Sequence, residues 1–443
     1  MFGHRLVILL IVTLVLPILF SFGPLRLSPY RLIVLITFFP LLVALLSGRA
    51  GKLMTIDYLV FFIALWSVLS IMVNHGFAFG LESGGIFAAE LLGGYLIGRV
   101  CIRDAASFQK MVKALFAVIL CLMPFAAIEA FTDRTPLLQL FNAIGRSFPN
   151  YDVGVRLGLH RSQVVFEHPI LYGSFCMSCI GLIYYVWHHS FVRRMFGYGA
   201  VALATLFSVS TGALAGLLMQ TFFIGWEMVL KSIEQRWRFL TILAVLAYVG
   251  VDILSNRSPF HVFVDYLTFS SGSGFNRIRI FEFGSAEVAR HPFFGIGYHD
   301  WERPRWMNPS VDNFWLLHCM RYGLPMGGTM MVVVFMIVRG VSKRSFTSRE
   351  IWVCQAGFLT AQGGLIFAGA TVHFWNALLV WYMCLLGAGM WMITHQEAVR
   401  EASEDAEAPA DAPRYRSLGR ETGGSHAPAG SYRTVRLADG GAR

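Results

Sequence analysis

Apolar residues run in long blocks through most of this chain. About twelve blocks can be marked off, at approximately 5–22, 30–47, 56–73, 84–100, 108–131, 169–187, 196–211, 213–230, 239–254, 323–341, 351–371 and 374–393. Each approaches the ~20 apolar residues that carry a helix across the hydrocarbon core of a bilayer. The runs are continuous, whereas a membrane β-barrel strand alternates apolar and polar positions. The pattern therefore predicts an all-α polytopic membrane domain over residues 1–394, with about twelve transmembrane helices. The seventh and eighth blocks meet at Ser210-Thr211-Gly212 with almost no loop, and read either as two spans or as one broken, re-entrant element. The first block has the length of a signal peptide, but it lacks a small-residue cleavage site and a second span follows quickly, which favours an uncleaved helix.

Two connections stand out by length, approximately 132–167 and 255–312. Loops of this size are functional or disordered. The second is rich in aromatic residues, among them Phe260, Phe263, Tyr266, Phe269, Phe281, Phe293, Phe294, Trp301 and Trp306. Within it Ile278, Phe281, Ser285 and Val288 recur at helical spacing, which predicts an amphipathic helix over 275–290 lying on the membrane surface with its aromatic residues at headgroup level. Residues 395–443 are rich in Ala, Gly, Glu and Arg and bury too little to fold, predicting a disordered tail.

Charge orients the chain. The composition is 56% hydrophobic and 14% charged, about half the charge of a soluble domain. Every lysine (Lys52, Lys110, Lys113, Lys231 and Lys343) falls on one side of a twelve-span arrangement. The positive-inside rule makes that side the cytoplasm. The same rule accounts for most of the net charge of +10. No aromatic-interleaved basic groove stands out, so nucleic acid is set aside as a partner. The opposite face carries arginines and no lysine, and a guanidinium fork suits phosphate. The seven cysteines lie in or beside apolar blocks, so no disulfide framework is expected, and Cys176 and Cys179 read as packing residues one turn apart.

Three constellations on the arginine face carry chemistry. The first is Arg161-Ser-Gln-Val-Val-Phe-Glu-His-Pro169, entering the sixth span. It reads as interfacial anchoring or as an anion site at a helix N-terminus. The second is Arg277-Ile-Arg279 followed by Arg290-His-Pro-Phe-Phe-Gly-Ile-Gly297. Arg279 has Glu282 one turn away, whereas Arg277 has no carboxylate at helical spacing. The third is Asp312-Asn313-Phe-Trp315 followed by Arg321-Tyr-Gly-Leu-Pro325. Asp312 reads as the N-cap of a helix starting at Asn313, or as a carboxylate that accepts a proton at a cavity mouth. Glu90, near the middle of the fourth span, is either protonated or bonded to an interior arginine.

In order and spacing these residues resemble the O-antigen ligase and O-antigen polymerase family of bacterial inner membranes. Arg161, Phe166 and His168-Pro169 resemble that family's signature entering a span, and Ser208-Val-Ser210-Thr211-Gly212 its serine-rich stretch. Arg277 followed by His291-Pro292 and Gly295-Ile-Gly297 resembles its arginine, surface helix, proline and glycines, and Asn313 with Gly323 and Gly327 its closing helix. The resemblance implies a helical bundle akin to lipid-dependent glycosyltransferases. It implies transfer of a glycan from undecaprenyl pyrophosphate to an acceptor hydroxyl on the periplasmic face of the inner membrane, without metal or other cofactor. It also implies partners: the carrier-linked glycan, membrane lipids, a chain-length regulator and a flippase.

Family ligases usually carry a histidine where this chain has Asp312, which tilts the expectation toward polymerisation of repeat units into exopolysaccharide or O-antigen. Ligation to lipid A core is the alternative, and a transporter or flippase a second. The expected catalytic residues are Arg277 and Arg161 as a clamp on the leaving pyrophosphate, with Asp312 as base and His168 as its understudy. Arg279, Arg156 and Arg290 are expected to hold the pyrophosphate. Pro169, Pro292, Gly295, Gly297 and Asn313 are expected to shape the site.

Overall fold

The computed structural model describes residues 3–22, 25–149, 154–255 and 271–395. The expected tail from residue 396 lies outside them, as do Phe260, Phe263, Tyr266 and Phe269. Helices dominate. In chain order they are α1 (Gly3–Leu14), α2 (Pro29–Leu46), α3 (Thr55–His75), α4 (Phe77–Cys101), α5 (Ala105–Thr132), α6 (Pro136–Ile144), α7 (Pro169–Val186) and α8 (Phe191–Phe207), then α9 (Thr211–Val229), α10 (Arg236–Leu254), α11 (Ser271–Arg290), α12 (Phe314–Ser342), α13 (Arg349–Gly369) and α14 (Ala377–Thr394). Among the described residues, ten of these are long and apolar enough to cross a membrane. Two of the expected spans correspond to shorter helices, α1 at 12 residues and α8 at 17.

The junction at Ser210 is a reversal between two helices. Gly197 on α8 packs at Trp187 and Ile183 near the end of α7, while Ser208 packs at Gly173 near its start. On the way back Gly216 meets Met177, and the Gln220 carboxamide accepts from the Gly181 amide at 3.0 Å. Thus α8 runs antiparallel to α7 and α9 parallel to it.

The bundle has two chemically distinct ends. At one, Arg99 donates to the carbonyls of Ala50 and Lys52. There too Gln109 and His189 reach Glu350, and Arg344 reaches the Ile393 carbonyl. The turns carrying Lys52, Lys231 and Lys343 gather at this end, as does the start of α5 with Lys110 and Lys113. The other end carries the connections 132–168, 208–210, 291–313 and 370–376. A buried network ties α2 and α4 to the last of these: Arg31 Nε bonds Glu90 at 2.7 Å, Tyr30 Oη donates to the same carboxylate at 2.9 Å, and Arg31 Nη2 donates to Asn376 at 3.2 Å. Glu90 is therefore paired with an interior arginine, the second of its two sequence readings.

A kink in α12 builds the cap over this end. Gly323 has φ +81° and ψ 172°, a region that glycine alone occupies comfortably. Pro325 has no N–H to offer the Arg321 carbonyl. The freed groups are met from the 291–297 segment: Leu324 N donates to Pro292 O at 2.7 Å, Ile296 N to Met320 O at 2.8 Å and Gly297 N to Arg321 O at 2.9 Å. Gly295 and Gly297, at φ +60° and +61°, permit this close approach. While Phe314 and Tyr322 stay in the bundle's main core, another side of the first turns of α12 joins a smaller one. There Ile280 and Val288 of α11 pack with Leu316, Leu317 and Met320, with Trp301, Met307 and Val311 from the loop.

Two sequence expectations are corrected here. The surface helix begins at Ser271 and its buried face is Ile280, Gly284, Glu287 and Val288, whereas Phe281 and Ser285 are exposed. Packing on α12 sets that face. The cap of α12 is Asn313, whose Oδ1 accepts from Leu316 N at 3.0 Å, so Asp312 is released from that duty.

Candidate anion pocket at the arginine end

The segment before α7 is held by its backbone. The Glu129 carboxylate accepts from the amides of Gln163 and Val164 at 3.2 and 2.9 Å. Ser162 donates its amide to Phe207 O at 3.0 Å and its hydroxyl to Ala126 O at 2.8 Å. Val164 is left at φ +57°, and Val209 in the α8–α9 reversal at φ +42°. A β-branched residue in this region is strained, and both valines flank the same pocket. Ahead of them a two-residue hairpin pairs Val155 with His160 and Arg156 with Leu159. Leu157 and Gly158 both have positive φ, as the tight primed turn requires.

These elements bring Arg156, Arg161, His168, Ser210, Arg277 and Asp312 to the walls of one pocket of about 300 Å³. Arg156 is exposed, Arg161 buried, and Arg277 and Asp312 half-buried. Among the described residues neither Arg161 nor Arg277 has a hydrogen-bond or ion-pair partner, and Arg161 Nε is a buried orphan. Burial, reinforced by the charge of Arg156, lowers the Arg161 pKa to about 10, with Asp312 opposing. Burial likewise lowers that of Arg277, again opposed by Asp312. At neutral pH the pocket therefore holds excess positive charge around one carboxylate, whose only hydrogen bond among the described residues is from Ser310 Oγ at 2.9 Å.

His168 caps α7 by accepting from Ile170 N at Nδ1, 3.2 Å away. Burial, then the charges of Arg161 and Arg156, push its pKa down to about 4. The ring is neutral at pH 7, and acceptance at Nδ1 puts its proton on Nε2. His168, Ile170, Ser310 and Asp312 also line a second cavity of about 1330 Å³, walled further by Arg31, Glu90, Arg321, His373 and Trp375. Trp375 and Asn376 of its wall donate to the Glu167 carboxylate, from Nε1 at 2.8 Å and Nδ2 at 2.7 Å. Burial raises its pKa against those bonds.

The remaining sequence candidates divide. Arg279 lines neither cavity: it pairs with Glu282 at 2.9 Å and lies over the Phe275 ring. Arg290 pairs with Glu287 and Glu302. Pro292, Gly295, Gly297 and Asn313 position the cap as described, and Pro169 occupies the first turn of α7 behind the His168 cap. Sequence reasoning assigned no role to Arg31, His373, Trp375 or Asn376. Arg31 had a signal, since a cation opening an apolar block needs a partner and Glu90 needed one too. The other three lie on the short turn 370–376, where nothing in the spacing marks them.

No protein-family model matches this chain, and no curated protein matches it in sequence.

Proposed function

We propose that this protein is a membrane glycosyltransferase that polymerises oligosaccharide repeat units carried on undecaprenyl pyrophosphate, at the periplasmic face of a bacterial inner membrane. The observation that carries the reading is the meeting of Arg161 and Arg277, neither with a hydrogen-bond or ion-pair partner among the described residues, with Asp312 in one pocket that adjoins a much larger cavity. The small pocket suits a diphosphate and the larger one a sugar chain. Both lie at the end opposite the lysines, which the positive-inside rule assigns to the exoplasmic side.

In this reading the acceptor hydroxyl attacks the anomeric carbon from the face opposite the diphosphate. The new C–O bond forms as the bond to phosphate breaks, and the hydroxyl proton passes to Asp312. Negative charge gathers on the leaving phosphate. Guanidinium groups already fixed beside it stabilise that charge more than the ground state. His168 offers its Nε2–H as a neutral donor, a positioning role instead of the base role first considered for it.

The test is chemical analysis of the surface glycan and of the carrier pool in a strain lacking this gene. The expected result is loss of long polymer, with single repeat units still reaching the surface. Complete polymer stranded on the carrier would make the protein a ligase. Carrier-linked units trapped on the inner leaflet would make it a flippase. Unchanged glycan would end the reading.

A further inference from the structure

At the lysine end, far from the pocket above, three potential metal ligands converge. They are His188 and His189 in the turn between α7 and α8, and Glu350 in the first turn of α13. Their ligand atoms all lie within 4.8 Å of one another. His189 Nε2 is 3.1 Å from Glu350 Oε1, and His188 Nε2 is 3.9 Å from the same oxygen. Ligand atoms on a tetrahedral ion with bonds of about 2.0–2.2 Å stand roughly 3.3 Å apart, so small side-chain shifts complete the set.

Two independent features point to a ligand. The His188 side chain is only 7% exposed, yet both of its ring nitrogens are buried without a hydrogen-bond partner. Such an orphan in a native fold calls for an explanation, an unplaced ion among them. Behind the carboxylate, Gln109 of α5 donates to Glu350 Oε2, which turns Oε1 toward the histidines. Outer partners of this kind orient metal ligands. Cys354, one turn further along α13, aims its Sγ at the Ala105 carbonyl at 3.9 Å, leaving the fourth position to water.

We propose that His188, His189 and Glu350 bind one divalent transition-metal ion of the Zn²⁺ class, which fastens the α7–α8 turn to the starts of α5 and α13. Two imidazoles and one carboxylate oxygen favour Zn²⁺ or Co²⁺ over the hard ions Mg²⁺ and Ca²⁺. The site takes no part in glycosyl transfer and does not rest on that reading.

The experiment uses the full-length protein in detergent at neutral pH, purified with a histidine-free tag and stripped with a chelator. Titration with Co²⁺ is followed by its visible absorption, then by displacement with Zn²⁺. One equivalent with the intense bands of a tetrahedral ion is expected, abolished in His188→Ala and Glu350→Gln. Gln109→Ala should weaken binding by roughly 10–100-fold, and His395→Ala at the same end should leave it unchanged. Zn²⁺ should raise the thermal midpoint of the wild type and not that of His188→Ala. Absence of saturable binding by the wild type overturns the proposal. So does an undiminished Co²⁺ spectrum in a His188→Ala protein whose metal-free helicity matches the wild type.

Discussion

Arg277 and Arg279 stand two residues apart on α11, about 200° apart around the helix axis, and meet opposite surroundings. Arg279 is matched by Glu282 at 2.9 Å and by the Phe275 ring. Arg277 faces the pocket with Arg156 and Arg161 and has no partner there but the field of Asp312. The division extends over the cap: Arg290 and Arg303 each find a carboxylate three residues away, while Arg161 has no ion pair among the described residues and only the field of Asp312. A guanidinium removed from water without a counter-charge is costly, of the order of several kcal/mol when burial is complete. The fold tolerates this on one side of α11 and avoids it on the other. On the function proposed above, the diphosphate of the substrate supplies the missing counter-charge.

The sharpest way to break that contrast is to exchange the two arginines' fates. Arg277→Ala and Arg161→Ala should each abolish polymer. Arg277→Lys, which keeps charge and loses the fork, should slow transfer by about 10²–10³, the range for removing one stabilising donor. The measurement is glycan chain length in complemented cells and transfer rate with purified protein and carrier-linked repeat units. Normal polymer from Arg277→Ala would show that the unmatched guanidinium serves only the fold.

The contrast depends on how α11 is mounted, so the next effect is on the mount. A Cβ at Gly323 would lie 1.9 Å from the Phe293 carbonyl oxygen, in a backbone region that costs other residues about 1–3 kcal/mol before any clash. Gly323→Ala should lower the thermal midpoint markedly and detach the 291–297 segment. A Cβ at Gly328 meets nothing within 4 Å, so Gly328→Ala on the same helix should be neutral or stabilising by up to about 1 kcal/mol. Equal midpoints for the two variants would refute the account of the kink.

The membrane helices were legible because continuous apolar blocks depend on composition alone. The kink was legible only in part. The tenth apolar block begins at Gly323, where α12 kinks, but nothing local says that Leu316, Leu317 and Met320 before it pack on α11 while Phe314 and Tyr322 pack in the bundle. The buried face of α11 was misplaced by about one position, because Gly284 packs on Leu316 and Met320 and a glycine carries no apolar signal. The Arg161 and Arg277 positions were readable from spacing, whereas their convergence depends on two amides captured by Glu129 and on a loop docked at broken helix carbonyls. Asp312 had two readings, cap or proton acceptor, because Asn313 beside it caps equally well, and one residue of register decides which of the two caps α12.

A smaller effect concerns His168, whose neutrality follows from burial first and then from the same unmatched charges. Its pKa lies at about 4 in the fold, against an ordinary value of 6.5. Between those values the unfolded chain binds the proton and the folded chain resists it. Stability contributed by the neutral ring is therefore complete above about pH 6.5 and is lost progressively as the pH falls toward 4. His373, also pushed down by burial, adds in the same direction. The thermal midpoint of His168→Gln should decline less steeply with acid than that of the wild type. Identical slopes would mean that the fold does not hold the pKa of this ring down.

The smallest expected effect tests the matched side. Arg279→Ala removes one exposed pair three residues apart on a helix, worth about 0.2–0.5 kcal/mol, and a surface cation–ring contact worth at most about 0.5–1 kcal/mol. Its thermal midpoint should fall only slightly, and its transfer rate should stay within about twofold of the wild type, which corresponds to about 0.4 kcal/mol in the barrier. A rate loss approaching that of Arg277→Lys would place Arg279 on the substrate after all. The two sides of α11 would then be one electropositive surface, and the lack of partners at Arg277 and Arg161 would no longer distinguish the pocket.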